Sequence, residues 1–155
     1  MTFSELDLRE TVDVIGDIDW AQVERCVTGL PQVRERGRKR CILGLGGSAG
    51  HASDAVCDFR KLGDLESYSP TVNVSELTAR TNGGERDTNF VEWLRTWRLN
   101  DRDALLVFSV GGGDPERHIS VNLVQGLEVA HEHGAQIVGI VGRDGGVTAQ
   151  VADAL

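Results

Sequence analysis

The chain has 155 residues and a formal net charge of −8, with 40% hydrophobic and 26% charged residues. This length fits one globular domain with a substantial core. The acidic balance argues against binding nucleic acid or an anionic membrane surface, since both need a basic patch. No apolar run approaches the roughly 18 residues of a membrane span, and the N-terminus lacks the basic-then-apolar order of a signal peptide.

The three cysteines are odd in number and lack the spacing of a metal site (Cys26, Cys41 and Cys57). Proteins kept in a reducing compartment carry such unpaired thiols. The sequence therefore predicts a cytoplasmic protein with reduced cysteines.

Residues 1–37 are predicted to be a helical segment used for packing or oligomerisation. Its better helix, over residues 17–30, carries an apolar stripe at helical spacing, formed by Trp20, Val23, Val27 and Leu30. The stripe packs either on the sheet of the same chain or on another subunit.

From residue 38 onward, predicted strands and helices alternate. We expect strands over residues 40–45, 69–74, 104–109 and 136–141, helices over 48–62, 75–80, 89–97 and 121–133, and the start of one more helix or turn over 147–154. Residues 82–84 are predicted to be a loop, and Ser75 to cap the short helix that precedes it. Alternation of this kind indicates right-handed βαβ units. The predicted fold class is therefore α/β, a three-layer αβα sandwich whose parallel sheet is flavodoxin-like or Rossmann-like.

Two of the predicted strands end in a glycine cluster with a serine beside it, and a predicted helix follows each cluster. The first supplies Gly46, Gly47 and Ser48; the second supplies Ser109, Gly111, Gly112 and Gly113. Glycines let the backbone approach a phosphate, and a helix N-terminus favours negative charge. The pattern predicts a phosphorylated small molecule at the carboxyl ends of parallel strands.

Nucleotide cofactors fit the glycine clusters poorly. Gly44, Gly46 and Ala49 match the dinucleotide fingerprint only loosely, and no acidic residue ends the following predicted strand. A Walker-type Gly-Lys-Ser/Thr is also lacking. We therefore expect neither NAD nor ATP.

Several motifs, in the same order, resemble those of sugar isomerase (SIS) domains, and specifically of the phosphoheptose isomerases. Residues 44–48 are similar to that family's Gly-Asn-Gly-Gly-Ser loop, and residues 109–114 to its Ser-Thr-Ser-Gly-Asn-Ser phosphate loop. Residues 77–82, 122–134 and 141–146 follow three later segments, the first of them placing Asn82 in the site. The resemblance covers residues 15–155. It implies a SIS domain over residues 38–155 and isomerisation of sedoheptulose 7-phosphate.

The two loops depart from the family pattern at several positions. Leu45 stands where the family has Asn, and Val110 and Gly111 replace two hydroxyl residues. Asp114 occupies the last serine position, where a carboxylate would repel phosphate. An insertion of about five residues, 115–119, is expected to place Ser120 in that serine's role.

The helix after the first loop departs at the positions that the resemblance marks as catalytic. Six residues beyond the loop serine the family has a zinc-binding His, and four further on a Glu that acts as base and ligand; here they are Asp54 and Asp58. Spacing i, i+4 places both carboxylates on one helix face. Asp58 is the candidate base, and both, with His51, are candidate ligands of a divalent metal, zinc in the family. The alternative is that all three are solvent-facing polar residues.

The family's C-terminal helix carries a Gln-Glu-x-His type pattern that completes its catalytic set. This chain stops at Leu155, so we expect the last strand and that helix to be missing from it.

Two functions follow from the resemblance. The first is a ketose–aldose isomerase acting on sedoheptulose 7-phosphate or a similar phosphosugar through an enediol; the second is a non-catalytic SIS module that binds or senses a sugar phosphate. For both we expect a phosphorylated sugar as ligand, a homodimer or homotetramer, and neither nucleic acid nor membrane as partner.

Overall fold

The computed structural model describes residues 1–35, 39–83 and 86–155. Its strands are β1 (Arg40–Gly44), β2 (Ser67–Tyr68), β3 (Ala104–Ser109) and β4 (Gln136–Val141). Its helices are α1 (Phe3–Gly16), α2 (Trp20–Glu35), α3 (Gly47–Lys61), α4 (Val74–Gly83), α5 (Asn89–Trp97), α6 (Val121–Glu132) and α7 (Gly146–Val151). The strands form a parallel sheet in the order β2-β1-β3-β4.

Successive residues of the central strands point into two different apolar layers. Leu105 and Val107 pack with α5 and α6 in the larger cluster. Leu106, between them, packs with Ala52 and Val56 of α3 in the smaller one. Alternation over two buried faces is what makes these strands continuous apolar runs. The predicted α/β class, with helices on both faces of a parallel sheet, is confirmed.

The chain after α7 returns to the outer side of β4. Ala154 makes an isolated parallel bridge with Val138, and the N–H of Gly139 donates to the carbonyl of Ala154 at 2.9 Å. The side chain of Asp153 accepts from the N–H of Ile137 at 2.8 Å. The order β2-β1-β3-β4 followed by this segment matches the flavodoxin-like arrangement.

The strand predicted over residues 69–74 is wrong. The strand is only Ser67–Tyr68, because Pro70 cannot donate a ladder hydrogen bond. The Ser69 hydroxyl instead bonds locally, with the Thr71 hydroxyl at 2.9 Å, an alternative to the sheet that serine and threonine favour. The segment therefore turns.

The following helix is longer than predicted and has a different cap. It spans Val74–Gly83, so Asn82 and Gly83 lie in its last turn rather than in a loop. The side-chain oxygen of Asn73 accepts from the N–H of Glu76 at 3.2 Å, and Asn73 thus caps the helix instead of Ser75.

The first helix makes no contribution to the core of the single chain. None of its residues is buried. On α2, Trp20 is 77% exposed and Val23 and Val27 are about half exposed, so this part of the predicted stripe does not pack on the sheet. Within the described residues, we find no helix with the length and apolar character needed to cross a bilayer.

Candidate functional site

The two glycine-rich loops predicted to bind phosphate lie next to each other at the carboxyl edge of the sheet. Gly44, the last residue of β1, is paired with Phe108 of β3, so the loops that follow these strands leave the sheet side by side. The chain passes from β1 to β2 on one side and then to β3 on the other side of β1. The gap between the ends of β1 and β3 is therefore the topological switch point of the sheet. Open α/β sheets bind their ligands at such a point.

The first loop is shaped by a close approach between Gly44 and the start of α3. A Cβ on Gly44 would lie 2.2 Å from the carbonyl oxygen of Ser48, so a side chain is excluded there. Gly46 has φ of +56° and precedes the helix as its N-cap. Gly46 and Gly47 are exposed and Ser48 is half-buried. The loop therefore presents backbone, one hydroxyl and the N-terminus of a helix to solvent.

The second loop folds back on itself through Ser109. The Ser109 hydroxyl accepts a hydrogen bond from the N–H of Gly112 at 3.0 Å. Gly112 and Gly113 are buried and have φ of +68° and +89°, a backbone conformation that only glycine adopts easily. Gly111 is half-buried beside them. The hydroxyl of Ser109 thus shapes the loop in addition to any contact with a ligand.

Backbone hydrogen bonds join the second loop to the loop after β4. The N–H groups of Val147 and Thr148 donate to the carbonyls of Gly113 and Gly112, each at 3.0 Å. The Thr148 hydroxyl donates to the Gly112 carbonyl as well, at 2.8 Å. The N-terminal turn of α7 therefore binds the loop and not a free anion.

The inserted residues 115–119 form a short hairpin that returns the chain to the loop. Asp114 and Ile119 exchange backbone hydrogen bonds at 2.9 and 2.8 Å. The Asp114 carboxylate accepts from the N–H of Arg117 at 3.0 Å and pairs with its guanidinium at 3.5 Å. The acid at the position expected to repel phosphate is thus engaged within the hairpin.

Ser120 follows the hairpin directly and is the N-cap of α6. It adopts a left-handed conformation, and its side chain makes no capping hydrogen bond. A Cβ on Gly113 would lie 3.8 Å from the Ser120 carbonyl oxygen, so the two residues are close. The residue expected to replace the family's last loop serine is therefore near the loop, and its hydroxyl is not used for capping.

The three candidate residues on α3 are exposed. His51, Asp54 and Asp58 lie 4, 7 and 11 residues after Gly47. At 1.5 Å per residue the two carboxylates lie roughly 10 and 16 Å along the axis from the helix start. A sugar phosphate whose phosphate lies at the glycine loops must extend along α3 to bring its other end to them.

These residues do not form a complete metal site in one chain. Within the described ranges, no group of three or more His, Cys, Asp or Glu side chains is placed to hold a metal ion. Structural and catalytic zinc sites use at least three protein ligands. The described residues of a single chain therefore do not fit a zinc site.

Asn82, the remaining predicted site residue, is exposed in the last turn of α4. It belongs to a different element from the two glycine loops. Its assignment to the site stays a prediction.

A cavity of about 690 Å³ opens between the loops after β3 and β4. Gly111 and Gly113 line it, together with the hairpin and with Arg143, which had no role in the sequence analysis. Cavities of roughly 300–1,000 Å³ are typical of small-molecule sites. Arg143 has φ of +56°, an uncommon backbone conformation for a residue with a side chain.

The buried ionisable groups lie away from these loops. Asp103, just before β3, is 2% exposed and accepts hydrogen bonds from the N–H and side-chain amide of Asn100, at 3.2 and 2.8 Å. Burial, and next the charge of Asp103, raise the pKa of the Cys41 thiol well above its usual range. Asp103 immediately precedes β3 and Cys41 is the second residue of β1, so both lie at the opposite end of the sheet from the glycine loops.

Comparison with known proteins identifies relatives over most of the chain. No protein-family model matches it. It is 31% identical, over 88% of its length and 68% of the relative's, to the "Probable phosphoheptose isomerase" of Thermoplasma volcanium. It is 29% identical to the phosphoheptose isomerase of Syntrophotalea carbinolica, over 95% of the chain and 74% of the relative.

A solved structure shows the same arrangement. The phosphoheptose isomerase of Neisseria gonorrhoeae is similar with a TM-score of 0.78 at 25% identity. The match covers 97% of this chain and 77% of that one.

Proposed function

Because this chain belongs to the phosphoheptose isomerase family, we propose that it interconverts sedoheptulose 7-phosphate, or a phosphosugar of similar size, and the corresponding aldose phosphate. The observation that carries the proposal is the pair of glycine loops at the switch point, Gly44 beside Phe108. Glycine-rich backbone before helices favours anions, and its location at the point where open α/β sheets bind their ligands supports the proposal.

The loops are proposed to bind the phosphate. Ser48 with the N–H groups of Gly46 and Gly47 forms one side, and Ser109 with Gly111–Gly113 and Ser120 forms the other. Backbone N–H groups at helix N-termini favour anions. Holding the phosphate in this way positions the carbonyl end of the sugar for reaction.

The reaction proposed is a proton transfer between adjacent carbons. A carboxylate removes a proton from the hydroxyl-bearing carbon beside the carbonyl, and the carbonyl oxygen takes up a proton to give the enediol. The removed proton is then delivered to the former carbonyl carbon, while the other hydroxyl oxygen loses its proton and becomes the new carbonyl. Asp58 is proposed as the base and Asp54 as its neighbour on the same helix face. Both carboxylates are exposed in the single chain. The substrate is therefore proposed to reach α3 either from the solvent or at the boundary with a second subunit.

We propose that the chain assembles as a homodimer or homotetramer through residues 1–37. The apolar side chains that this segment leaves exposed support the proposal, among them Val12, Ile15 and Trp20, exposed by 66%, 62% and 77%. Exposed apolar surface of this extent marks an interaction site.

A cytoplasmic location is proposed on chemical grounds. The cysteines in the described part of the chain are unpaired thiols, and thiols stay reduced in that compartment.

The proposed base is tested by comparing the reaction rates of two Asp→Asn variants. We expect Asp58→Asn to lower the rate of aldose formation from sedoheptulose 7-phosphate by about 10²–10⁴, the usual contribution of a general base. Asp101→Asn is the matched control, because Asp101 is equally exposed but precedes β3, at the opposite end of the sheet. Equal rates for the two variants would remove Asp58 from the mechanism.

Binding without turnover would favour the second candidate, a module that binds or senses a sugar phosphate. The exposed positions of His51, Asp54 and Asp58 are what favours it. Wild-type protein that binds sedoheptulose 7-phosphate and forms no aldose would establish it.

A further inference from the structure

We propose that the guanidinium of Arg143 binds the phosphate group of the ligand in the cavity beside Gly111. This inference rests on the proposed function, because it names the residue that supplies positive charge on the side of the second loop, where Gly111 and Gly113 line the cavity. It concerns binding alone and holds whether or not the bound sugar reacts.

The loop that is proposed to bind phosphate is poor in polar side chains. From Ser109 to Gly113 it carries one hydroxyl, and that hydroxyl already accepts from the N–H of Gly112. The N-terminal turn of α7 is also engaged, since the N–H groups of Val147 and Thr148 donate to loop carbonyls. A phosphate dianion at this loop therefore needs a cation from elsewhere.

Arg143 is placed to supply that cation. The point where a Cβ would stand on Gly111 lies 3.7 Å from Arg143 Cδ and 3.9 Å from its Nη1. The side chain of Arg143 thus lies over the loop at the position where the loop itself has no side chain. A guanidinium donates two parallel hydrogen bonds to a phosphate, which a single hydroxyl cannot do.

The other charged groups of the cavity are engaged or peripheral. Arg117 pairs with Asp114, and the Asp144 carboxylate accepts from the N–H of Gly146 at 3.2 Å. Glu116 is exposed in the hairpin, and Arg143 is exposed in its own loop. Among the described residues Arg143 has no carboxylate within 4.0 Å, so its guanidinium is available to a ligand.

The backbone of Arg143 has an uncommon conformation. Its φ of +56° lies in the left-handed region, which is unfavourable for a residue with a Cβ. Such conformations persist where the surrounding structure fixes them, and they concentrate at ligand-binding sites. Replacing Arg143 by another residue with a Cβ keeps the same backbone cost.

The experiment is a calorimetric titration of the full chain with sedoheptulose 7-phosphate. We expect Arg143→Gln to weaken binding by about 10-fold to 100-fold, the range for a lost hydrogen bond to a charged group. Arg102→Gln is the matched control: it makes the same charge change on an exposed residue before β3, at the opposite end of the sheet. It is expected to leave affinity within about two-fold of wild type, since distant exposed charges are screened.

A second variant separates phosphate binding from a structural role. Gly111 has an ordinary φ, and a Cβ there meets only the Arg143 side chain at normal contact distance, so serine fits. We expect Gly111→Ser to restore part of the affinity lost in Arg143→Gln, because its hydroxyl stands where the guanidinium was. A purely structural defect would not be rescued in this way.

Three outcomes decide between the proposals. Loss in Arg143→Gln, no loss in Arg102→Gln and partial rescue by Gly111→Ser support the assignment. Equal affinity of Arg143→Gln and Arg102→Gln overturns it and leaves the proposed function standing. A wild-type protein that does not bind sedoheptulose 7-phosphate overturns both.

Discussion

Thr148 donates twice to the same carbonyl oxygen, that of Gly112, through its hydroxyl at 2.8 Å and its N–H at 3.0 Å. The threonine is fully buried. Gly112 is in the loop after β3, and Thr148 is in the helix that follows β4. The pair therefore fixes one proposed phosphate loop relative to the neighbouring loop that carries Arg143.

We predict that Thr148→Val lowers the free energy of unfolding by about 1–2 kcal/mol, because it removes the buried hydroxyl and keeps the shape. The N–H bond to Gly112 remains, which limits the loss. Chemical denaturation measures the change. The control is Thr78→Val on the exposed face of α4, where the hydroxyl donates to the Val74 carbonyl; a change of equal size there would contradict the prediction.

Gly112→Ala is predicted to disrupt the loop. Its φ is +68°, and a Cβ would lie 1.7 Å from the carbonyl oxygen of Gly145. We expect a loss of stability larger than the roughly 1–2 kcal/mol of the left-handed backbone alone. Gly50→Ala is the control: Gly50 is inside α3 with open space around it, so the change should be stabilising by roughly 0.5–1 kcal/mol. Thermal unfolding of both variants is the measurement, and equal melting temperatures would refute the close approach.

The cysteines are predicted to differ in their reactivity. Cys57 is exposed, so a maleimide should reach and modify it between pH 7 and pH 9. The raised pKa of the buried Cys41 keeps it a thiol over that interval. Mass spectrometry of the native protein should find Cys57 modified and Cys41 unmodified, and modification of Cys41 at a comparable rate would contradict its burial.

The same pKa shift has a consequence for stability. A thiol whose pKa is higher in the folded state stabilises the fold below its unfolded pKa, which is about 8.5. That contribution is lost as the pH rises through the folded-state value. The free energy of unfolding should therefore fall between pH 8 and pH 11, and Cys41→Ala is expected to make this fall smaller. Urea denaturation measures it, with Cys57→Ala as the control. An identical pH dependence in the two variants would exclude this contribution.

The exposed apolar face of α1 predicts self-association. Leu8, Val12 and Ile15 share one face at helical spacing and are each more than 60% exposed. Light scattering of the wild type should give at least twice the 16.8 kDa of one chain. Val12→Glu should shift the mass toward one chain and Thr11→Glu, on an adjacent face, should not; a monomeric wild type at micromolar concentration would contradict the assembly.

Much of the fold was predictable from the pattern of apolar residues. The predicted ranges of α5, β3 and β4 match the structure, because each is a long, strongly patterned segment. The resemblance to the phosphoheptose isomerases is confirmed by the relatives. Residues 69–74 were mispredicted because Val72 and Val74 suit a strand, whereas Pro70 and the bonding of Ser69 with Thr71 favour a turn.

The site was predictable only in part. The glycine loops stand out in the sequence, and the topology brings them together. The proposed role of Arg143 could not be predicted, because its position over Gly111 depends on the packing of two loops that are distant in the chain. The ion pair between Asp114 and Arg117 likewise depends on the hairpin. Comparing Asp114 alone with the family motif does not predict that pair.

The most direct measurement is incubation of the protein with sedoheptulose 7-phosphate in D₂O, followed by NMR. An isomerase that works through an enediol should form the aldose 7-phosphate and incorporate deuterium at the carbon that receives the proton, as its base exchanges with solvent. That is the result predicted here. Neither aldose nor deuterium incorporation, with sedoheptulose 7-phosphate still bound by the folded protein, would contradict the isomerase.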